Sequence, residues 1–344
     1  MKISARVVFA SLLCFLYSLG TVSIHAAPYL DSTRIAMLNE AQGHLFNDQF
    51  AEADSIYVAY HETYPDDPCA LLFRAVGLMA HMSDAEEELH SDLFHTLLNQ
   101  SDSLAVSILD TCDDRAAAWM YLLRGHARAQ RSLWESRFGS FLSAVKMGLS
   151  ADNEYTAALK RDSTLYDIYA GLGSYHYWKS AKAGVLRWLG FFKNEKDKGI
   201  EELELAADSS IIHRELSASA LIWIWLDRKE YDTAIAISRT FVERYPEGKT
   251  FLWPIAQAFY AQTQYDSAAA VYQRIRERLA AEPGNYYNMI ECDYYIVHCL
   301  TWEGRDAAAS EAARRMPSYL DNIPEETQHR QRSKIRYLKR VAER

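Results

Sequence analysis

Two helix pairs with the same residue pattern follow each other directly in the C-terminal half of this chain. The first contains Tyr-Asp-Thr-Ala at 231–234 and the second Tyr-Asp-Ser-Ala at 265–268, so the small anchoring residues Ala234 and Ala268 lie 34 residues apart. A period in the mid-thirties is typical of solenoids of helical hairpins, in which a single unit cannot bury its apolar face alone. The period therefore predicts an all-α chain of stacked antiparallel hairpins.

Earlier parts of the chain carry further copies with less regular spacing. The small anchors are Ala53, Ala105, Ala151, Gly199, Ala234, Ala268 and Ala309. Intervals between neighbouring anchors vary from 34 to 52 residues, and the extra residues fall between the first and second helix of the middle hairpins. We therefore expect an additional short helix at those turns, for example over the apolar segment 185–192.

The residues that fill each copy resemble those of the tetratricopeptide repeat. One first helix carries its large, small and aromatic positions at Tyr169, Leu172, Gly173 and His176. The resemblance implies a right-handed superhelical solenoid whose first helices line a concave groove. We place this repeat domain at 27–323. Its predicted hairpins lie near 34–65, 69–112, 115–162, 165–208, 215–246, 249–282 and 288–316.

The central block at 165–208 carries a second resemblance. Its pattern runs from Gly173 through Gly190 to Gly199 and Leu203, and it covers about an eighth of the chain. It is similar to the central motif of the tetratricopeptide repeat protein 39 and inclusion-body-clearance family, and to bacterial envelope proteins with the same block. The resemblance implies a helix arrangement and carries no partner or cellular role with it.

The N-terminus has the composition of a secretory signal peptide. A basic start with Lys2 and Arg6 precedes an uncharged apolar run at 7–24, and small residues follow. We expect cleavage after Ala26, which defines a signal peptide at 1–26. Retention as a membrane anchor is the alternative, because the apolar run is long. No later stretch is long and apolar enough to span a bilayer.

The charge of the chain argues against nucleic-acid binding. The formal net charge is −9, and removal of 1–26 takes away Lys2 and Arg6 and no acid, which gives −11. An acidic exported protein is a poor candidate for contacts with phosphate backbones. We expect a periplasmic or envelope-associated protein, with peripheral association and secretion both left open.

Four cysteines remain after the predicted cleavage. Cys292 and Cys299 are seven residues apart on one predicted helix, roughly 10 Å at ~1.5 Å per residue, which is too far for a disulfide. Cys69 begins a first helix and Cys112 ends a second helix, and those ends are neighbours in an antiparallel hairpin. A Cys69–Cys112 disulfide would therefore fit an oxidising compartment, and buried free thiols are the alternative.

Two short patterns are candidates for a catalytic or a metal site. Ser143 and Lys146 have the Ser-x-x-Lys spacing of some acyl enzymes, but the companion motifs are missing. His81, His90 and His95 surround an acidic turn, but their spacing does not place ligands on one helical face. We expect no enzyme activity, no metal site and no cofactor. A hydrolase activity that depends on Ser143 would reverse that expectation.

Aromatic residues concentrate on the first helices of the hairpins. The resemblance implies that a fixed set of first-helix positions faces the groove. The candidate partner-binding residues at those positions are Arg124, Arg128, Asp167, Ser174, Tyr177, Trp178, Trp223, Asp227, Trp253, Gln257, Tyr260, Tyr294, His298 and Trp302. Tyr and Trp supply much of the binding energy at protein interfaces. The alternative is that these side chains pack within the core.

The C-terminal segment at 324–344 is basic and amphipathic. Pro324 and two acids begin a predicted helix, where they suit its positive dipole end, and Ile335 and Leu338 mark an apolar stripe. We predict a capping helix that closes the last hairpin with a polar outer face. Contact with anionic lipid or an acidic partner is the alternative.

These observations predict an exported, non-catalytic scaffold that binds a protein or peptide partner in its concave groove. The alternative is an envelope protein that binds a small ligand or a glycan with the same aromatic residues. The sequence does not specify the partner, the pathway or the oligomeric state. Likeness of fold is a general argument for binding and gives no finer detail.

Overall fold

The computed structural model describes residues 29–182, 193–281 and 284–344, without the side chain of Pro317. Residues 32–344 form one compact unit, and residues 29–31 belong to a separate N-terminal unit. The predicted signal peptide at 1–26 and the predicted short helix at 185–192 lie outside the described residues.

The described ranges contain fifteen α-helices, two short 3₁₀ turns and no strand. The helices are α1 (Ser32–Phe46), α2 (Phe50–Thr63), α3 (Pro68–Ala85), α4 (Ser91–Leu109), α5 (Asp114–Arg137), α6 (Phe141–Arg161), α7 (Ile168–Lys182), α8 (Lys196–Ser209), α9 (Arg214–Asp227), α10 (Tyr231–Arg244), α11 (Leu252–Ala261), α12 (Tyr265–Ala281), α13 (Tyr286–Trp302), α14 (Asp306–Ala313) and α15 (Glu325–Ala342). Consecutive helices pack as seven pairs followed by α15. The all-α solenoid fold is confirmed.

Four of the hairpin turns between described helices share one backbone geometry. The residue two positions after the first helix has φ between 59° and 70°; these residues are Asp48, Lys229, Thr263 and Gly304. Its N–H donates to the carbonyl three residues earlier, and the next N–H donates to the carbonyl five residues earlier. This left-handed ending satisfies carbonyls that the helix leaves open. The same turn therefore recurs in hairpins one, five, six and seven.

Helices α7 and α8 pack with their backbones in contact at Gly173 and Gly199. A Cβ on Gly173 would lie 2.7 Å from the carbonyl oxygen of Gly199, and a Cβ on Gly199 would lie 2.6 Å from that of Gly173. Side chains do not approach a backbone so closely, and both positions therefore require glycine. Close helix packing is the reason for the small residues in this part of the pattern.

The prediction of a short helix between the two helices of the third hairpin is wrong. The extra residues instead lengthen α5 to 24 residues and α6 to 21 residues, and three residues connect them. The hydroxyl of Ser140 accepts the N–H of Ser143 and starts α6 directly after the turn. The cap at Ser140 and the alanines of α6, which favour a helix, thus give a longer hairpin without a separate short helix.

The last helix, α15, closes the C-terminal end of the solenoid. Ile335, Leu338 and Val341 are buried in one core cluster with residues of α13 and α14. Pro324 precedes the first turn, where Glu325 and Glu326 meet the positive end of the helix dipole. The predicted capping helix is confirmed as part of the fold.

Leu338→Ala should lower the free energy of unfolding by about 2–5 kcal/mol, because the side chain is completely buried and its loss leaves a cavity. Urea unfolding would measure the change. Lys339→Ala, at the exposed neighbouring position, is the control and should stay within about 0.5 kcal/mol of the parent. Equal effects of the two substitutions would contradict a packed cap.

The first hairpin packs against the fifth and sixth hairpins, about 200 positions later in the chain. Phe46, at the end of α1, lies in an aromatic cluster with Phe241, Tyr245 and Phe251, at ring-centroid distances of 5.1–5.9 Å. A Cβ on Gly248 would collide with the carbonyl oxygen of Phe46, so only glycine permits this approach. The solenoid therefore closes on itself.

A buried lysine joins three hairpins at this closure. The ammonium of Lys249, with 1% of its side chain exposed, lies 3.1 Å from Asp48 and 3.6 Å from Asp84. Asp48 also accepts the backbone N–H of Lys249 at 2.5 Å and the hydroxyl of Thr250 at 3.2 Å. We call Lys249, Asp48 and Asp84 the Lys249 triad. It connects the turn after α1, the end of α3 and the segment before α11.

Asparagine and arginine side chains extend the closure towards α13 and α15. The side-chain amides of Asn285 and Asn288 donate to the carbonyl oxygen of Asp84 at 2.7 and 2.5 Å. Glu86 accepts from Arg137 at 2.7 Å and from Arg330 at 3.0 Å. The end of α3 is thereby held by the third hairpin, the seventh hairpin and the last helix together.

Lys249→Met should lower the free energy of unfolding by about 3–5 kcal/mol, because it leaves the buried carboxylate of Asp48 without its cation. Arg305→Met is the matched control: its pair with Asp266 is more than half exposed, and its loss should cost under about 1 kcal/mol. Urea unfolding of both variants would decide the point. A loss for Lys249→Met as small as the control's would overturn the role given to the triad.

Candidate functional site

The closed solenoid has a central cavity of about 560 Å³ that is partly open to solvent. Its wall comes from α1, α2 and α3 on one side and from α9, α11, α12 and α13 on the other. Aromatic side chains dominate the wall: Phe46, Phe50, Tyr57, Phe73, Trp223, Trp253, Tyr272, Tyr287 and Tyr295. Binding pockets for small molecules are typically 300–1,000 Å³, mostly apolar, and carry a few polar groups. The central cavity has that character.

One face of α3 runs along the cavity and sets its length. Phe73, Val76, Ala80 and Asp84 line it in turn, and Asp84 follows Phe73 by eleven positions. At 1.5 Å per residue this face is about 16 Å long, the span of roughly five residues of extended chain.

The opposite wall is a packed set of aromatic rings. Tyr272 stacks on Tyr295 at 4.8 Å with an interplanar angle of 7°, and Trp253 meets Tyr272 edge-on at 6.2 Å. Burial raises the pKa of Tyr272 far above its ordinary value, so its hydroxyl stays protonated. Trp223 keeps 37% of its surface exposed. This wall offers rigid aromatic faces and hydrogen-bonding groups without charge.

Charged residues line the cavity near the C-terminal end of α3, which we call the polar end, and each has a partner of opposite sign. Asp84 belongs to the Lys249 triad, and Glu86 holds Arg137 and Arg330. Glu291 accepts from Lys334 and from Gln331. Because these charges are already compensated, the cavity favours a ligand segment without net charge.

Three of the predicted groove residues line the central cavity: Trp223, Trp253 and Gln257. They come from α9 and α11, where the repeat pattern is most regular. Their role in partner binding stays a prediction.

Arg124 and Arg128 bind neighbouring helices. Both guanidinium groups contact Asp102 of α4, at 3.0 and 2.9 Å, and Glu154 of α6, at 3.1 and 3.2 Å. These bonds hold the pKa of Asp102 below its ordinary value, against the effect of burial. The two arginines crosslink three helices, and their prediction as partner-binding residues is not supported by this geometry.

Asp167 holds the backbone segment that precedes α9. Its completely buried carboxylate accepts the backbone N–H groups of Ile211, Ile212 and His213, and it also lies 2.9 Å from the His213 ring. Although burial alone would raise the pKa of Asp167, these bonds lower it. Its prediction as a groove residue is wrong, because the side chain satisfies backbone donors in the core.

Four further predicted residues, Ser174, Tyr177, Trp178 and Asp227, lie in or beside α7. The buried hydroxyl of Tyr177 donates to Asp227 at 2.7 Å, and Lys196 also binds Asp227 at 3.1 Å. Ser174 donates to a carbonyl of its own helix. Trp178 packs against the core cluster around Tyr177. These contacts are structural, and the residues do not line the central cavity.

The last four predicted residues form an aromatic cluster at the C-terminal end. Tyr260 contacts one ring nitrogen of His298 at 2.9 Å, and the indole N–H of Trp302 donates to the other at 3.3 Å. Tyr294 packs against His298 and Tyr337. Trp302 remains 64% exposed. The cluster lies outside the residues that line the central cavity.

Sequence reasoning missed the half of the cavity wall that α1, α2 and α3 provide. An open solenoid presents only neighbouring hairpins to each other, so the pattern does not predict that Phe50, Tyr57 and Phe73 face Trp223 and Trp253. The segment Pro-Glu-Gly-Lys at 246–249, between two repeats, is the local feature that indicates an unusual contact there.

The candidate catalytic and metal-ligating residues make structural contacts. The hydroxyl of Ser143 lies 3.1 Å from that of Ser140 in the first turn of α6. His81 stacks on Phe50 and its ring lies 6.4 Å from that of His90, whereas His95 packs on Trp134. Across the described ranges, no group of three histidine, cysteine or acidic side chains has the geometry to hold a metal ion.

Cys69 and Cys112 both carry free thiols in the structure, so the disulfide considered for them is not formed there. Cys69 is buried beside Asp67, and burial raises the pKa of its thiol well above the ordinary value. Cys112 is half-buried after the end of α4. No helix among the described residues has the length and apolarity needed to cross a membrane.

A buried histidine cluster lies behind the cavity wall. The rings of His126 and His213 are 4.6 Å apart, and His126 Nδ1 lies 2.9 Å from the hydroxyl of Tyr155. The other ring nitrogen, Nε2, is buried without a hydrogen-bond partner among the described residues. Burial, with repulsion from His213, lowers the pKa of His126 well below 6.5. The folded protein therefore keeps this imidazole neutral.

Acidification from pH 7.5 to 5.5 should therefore destabilise the fold. Below pH 6.5 the unfolded chain takes up a proton at His126 that the folded chain does not, so stability is present above that pH and is lost below it. The loss should be about 1 kcal/mol at pH 5.5. His126→Phe should flatten this part of the profile in urea unfolding. An unchanged slope would exclude His126 as its source.

Comparison with known proteins is consistent with this architecture. A tetratricopeptide repeat family model matches residues 252–278, which fall in α11 and α12. The fold is a tetratricopeptide-like helical solenoid. The matched repeat supplies Trp253, Gln257 and Tyr272 to the central cavity. No curated protein matches the chain.

Two solved structures align with most of the chain at low identity and with TM-scores below 0.5. The C-terminal part of a TPR repeat-containing protein from Cytophaga hutchinsonii has 19% sequence identity and a TM-score of 0.44, and the match covers 84% of this chain and 97% of that one. The TPR domain of P58(IPK) has 15% identity and a TM-score of 0.21, with coverage of 90% and 98%.

Proposed function

We propose that this chain is an exported, non-catalytic scaffold that binds an extended segment of a protein partner in the central cavity. The single observation that carries the proposal is the cavity itself, about 560 Å³ in volume and walled by aromatic side chains. Repeat solenoids use their concave surfaces for binding. The proposed ligand is therefore a peptide segment held inside the closed solenoid.

Length, aromatic lining and charge define the segment. The α3 face is long enough for about five extended residues. Aromatic walls favour apolar or aromatic side chains, which supply most of the energy of buried interfaces. Because the acids at the polar end already have cationic partners, we expect a segment without net charge.

A small neutral ligand or a glycan is the second candidate. The volume of the cavity lies within the range of small-molecule pockets, and the faces of Trp223, Trp253 and Tyr295 would stack on a sugar ring. This candidate needs no extended chain. It predicts binding of free envelope glycans, which the peptide proposal does not.

Export is part of the proposal and rests on the sequence of residues 1–26. The basic start, apolar run and small residues fit a secretory signal. Immunoblotting of cell fractions would test this, with the processed N-terminus read by mass spectrometry.

The binding test captures partners from a native envelope extract with the chain from residue 27, compared with Trp223→Ala. Crosslinking would then locate the bound segment, which would be made as a short peptide. We expect Trp223→Ala to weaken peptide binding by about thirtyfold or more, as at an interfacial hot spot. Calorimetry would measure the affinity.

Two matched variants control the result. Trp302→Ala removes an exposed tryptophan outside the cavity and should change affinity less than about twofold. Ala80→Leu fills the cavity from α3 and should block the peptide while the circular dichroism spectrum stays unchanged. Peptide binding that survives both Trp223→Ala and Ala80→Leu would refute the site. Binding of glycans in place of any peptide would establish the second candidate.

A further inference from the structure

One polar side chain on the wall of the central cavity is buried and unpaired. Gln42, on α1, is 8% exposed and lines the cavity together with Leu45 and Phe46 of the same helix. No described residue forms a hydrogen bond with its carboxamide. Burial of an unpaired carboxamide costs free energy, and buried polar side chains in proteins are nearly always paired. The place of Gln42 on the cavity wall indicates that its partner is a bound molecule.

A second buried glutamine shows what a structural carboxamide does in this fold. Gln331, on α15, is 2% exposed and donates to Glu291 of α13 at 2.7 Å. Its carboxamide therefore joins two helices. The carboxamide of Gln42 joins no two elements of the part of the chain that the structure describes, so the packing of the helices does not account for it.

The other unpaired polar groups of the cavity wall are also uncharged. Gln257, on α11, supplies a second carboxamide without a hydrogen bond to any residue in the described ranges. The same holds, within those ranges, for the aromatic hydroxyl and indole N–H groups of the wall, which belong to Tyr57, Tyr272, Tyr295, Trp223 and Trp253. The free hydrogen-bonding groups of the cavity thus match a ligand whose own polar groups are neutral.

An extended peptide brings such neutral groups into the cavity along its main chain. Each residue except proline carries one N–H donor and one C=O acceptor, and both need partners once they leave water. The described ranges contain no strand, so they offer no sheet edge to which the segment could add as a further strand. Backbone groups inside the surrounding helices already bond within those helices. Side chains must therefore supply the partners.

We infer that the carboxamide of Gln42 pairs with the main-chain N–H and C=O of one residue of the bound segment, and that Gln257 pairs with a second residue. A carboxamide both donates and accepts, as a peptide group does, so Nε2 donates to the C=O while Oε1 accepts the N–H. The inference rests on the proposed function and adds how the segment is held. Main-chain groups are common to all sequences, so these bonds supply affinity, and the aromatic walls select the side chains.

The unpaired carboxamide has a measurable consequence for the protein without ligand. Gln42→Met keeps the length of the side chain and removes the buried polar group, so this variant should melt about 2–4 °C above the parent. Gln331→Met removes a carboxamide that has a partner and should melt below the parent. Circular dichroism melts of residues 27–344 would measure both, since residues 32–344 form one compact unit. A lower Tm for Gln42→Met would show a structural role and overturn the inference.

The binding test uses acetyl-Ala-Phe-Ala-Phe-Ala-amide, a neutral peptide of the proposed length, and a copy with methyl groups on its three central main-chain nitrogens. By calorimetry, the parent should bind the unmethylated peptide about tenfold more tightly, because methylation removes the N–H donors. Gln42→Met should bind the unmethylated peptide about tenfold more weakly than the parent and should discriminate less between the two peptides. Gln264→Met, at an exposed position outside the cavity, is the control and should bind within about twofold of the parent.

The outcomes separate this inference from the proposed function. Failure of the parent to bind the unmethylated peptide, equal affinity for the two peptides, or unchanged binding by Gln42→Met would overturn the inference. If Trp223→Ala still weakened the binding of a segment identified by crosslinking, the cavity would remain the peptide site and only the pairing of Gln42 would be wrong. If no such segment bound, the proposed function would fail as well. Glycan binding that Gln42→Met weakens, without peptide binding, would overturn the inference and assign the carboxamide to sugar hydroxyls.

Discussion

The closed form of the solenoid depends on one buried ammonium group. Lys249 has 1% of its side chain exposed, and burial of an unpaired cation would cost several kcal/mol. The two carboxylates that compensate it come from different hairpins, Asp48 after α1 and Asp84 at the end of α3. Compensation is therefore complete only when three separate parts of the chain are in place.

Closure changes how the units of a solenoid share stability. In an open array each hairpin contacts only its neighbours, and the end units unfold most easily. Here Phe46 packs into the fifth hairpin, and Arg278 donates to the carbonyls of Pro246 and Gly248 at the same contact. The terminal units thus gain long-range contacts that an open array lacks. We expect a more cooperative unfolding transition, and slower folding, because contacts about 200 residues apart must form.

Most of the fold was predictable from the sequence, because the repeat is encoded locally. The 34-residue period, the glycine contact at Gly173 and Gly199 and the apolar stripe of α15 all follow from helical spacing. The third hairpin departs from the prediction, since residue counts cannot tell a longer helix from an added one. Helix phase is a local property, and it assigned to the groove Trp223, Trp253 and Gln257, which line the central cavity.

The candidate site was less predictable, because closure is not a local property. Phase alone also assigned Asp167 and Arg124 to the groove, but buried donors and acids of neighbouring helices take both side chains. Phe50, Tyr57 and Phe73 were not predicted as site residues, since nothing in their own segments indicates which distant hairpin they face. Half of the cavity wall therefore requires knowledge of tertiary structure.

Ion pairing keeps the central cavity and the outer surface separate. Glu86 lines the cavity, yet both of its carboxylate oxygens are engaged, one by Arg137 and the other by Arg330. Glu291 is engaged in the same way by Lys334. A ligand inside the cavity meets compensated charge and aromatic faces, whereas exposed cations such as Arg332 and Arg336, for which no ion pair is found among the described residues, lie on the outer face of α15. Because a buried charge already paired has little left to offer a second partner, selectivity in the cavity must come from shape and apolar contact, and electrostatic attraction belongs to the outer surface alone.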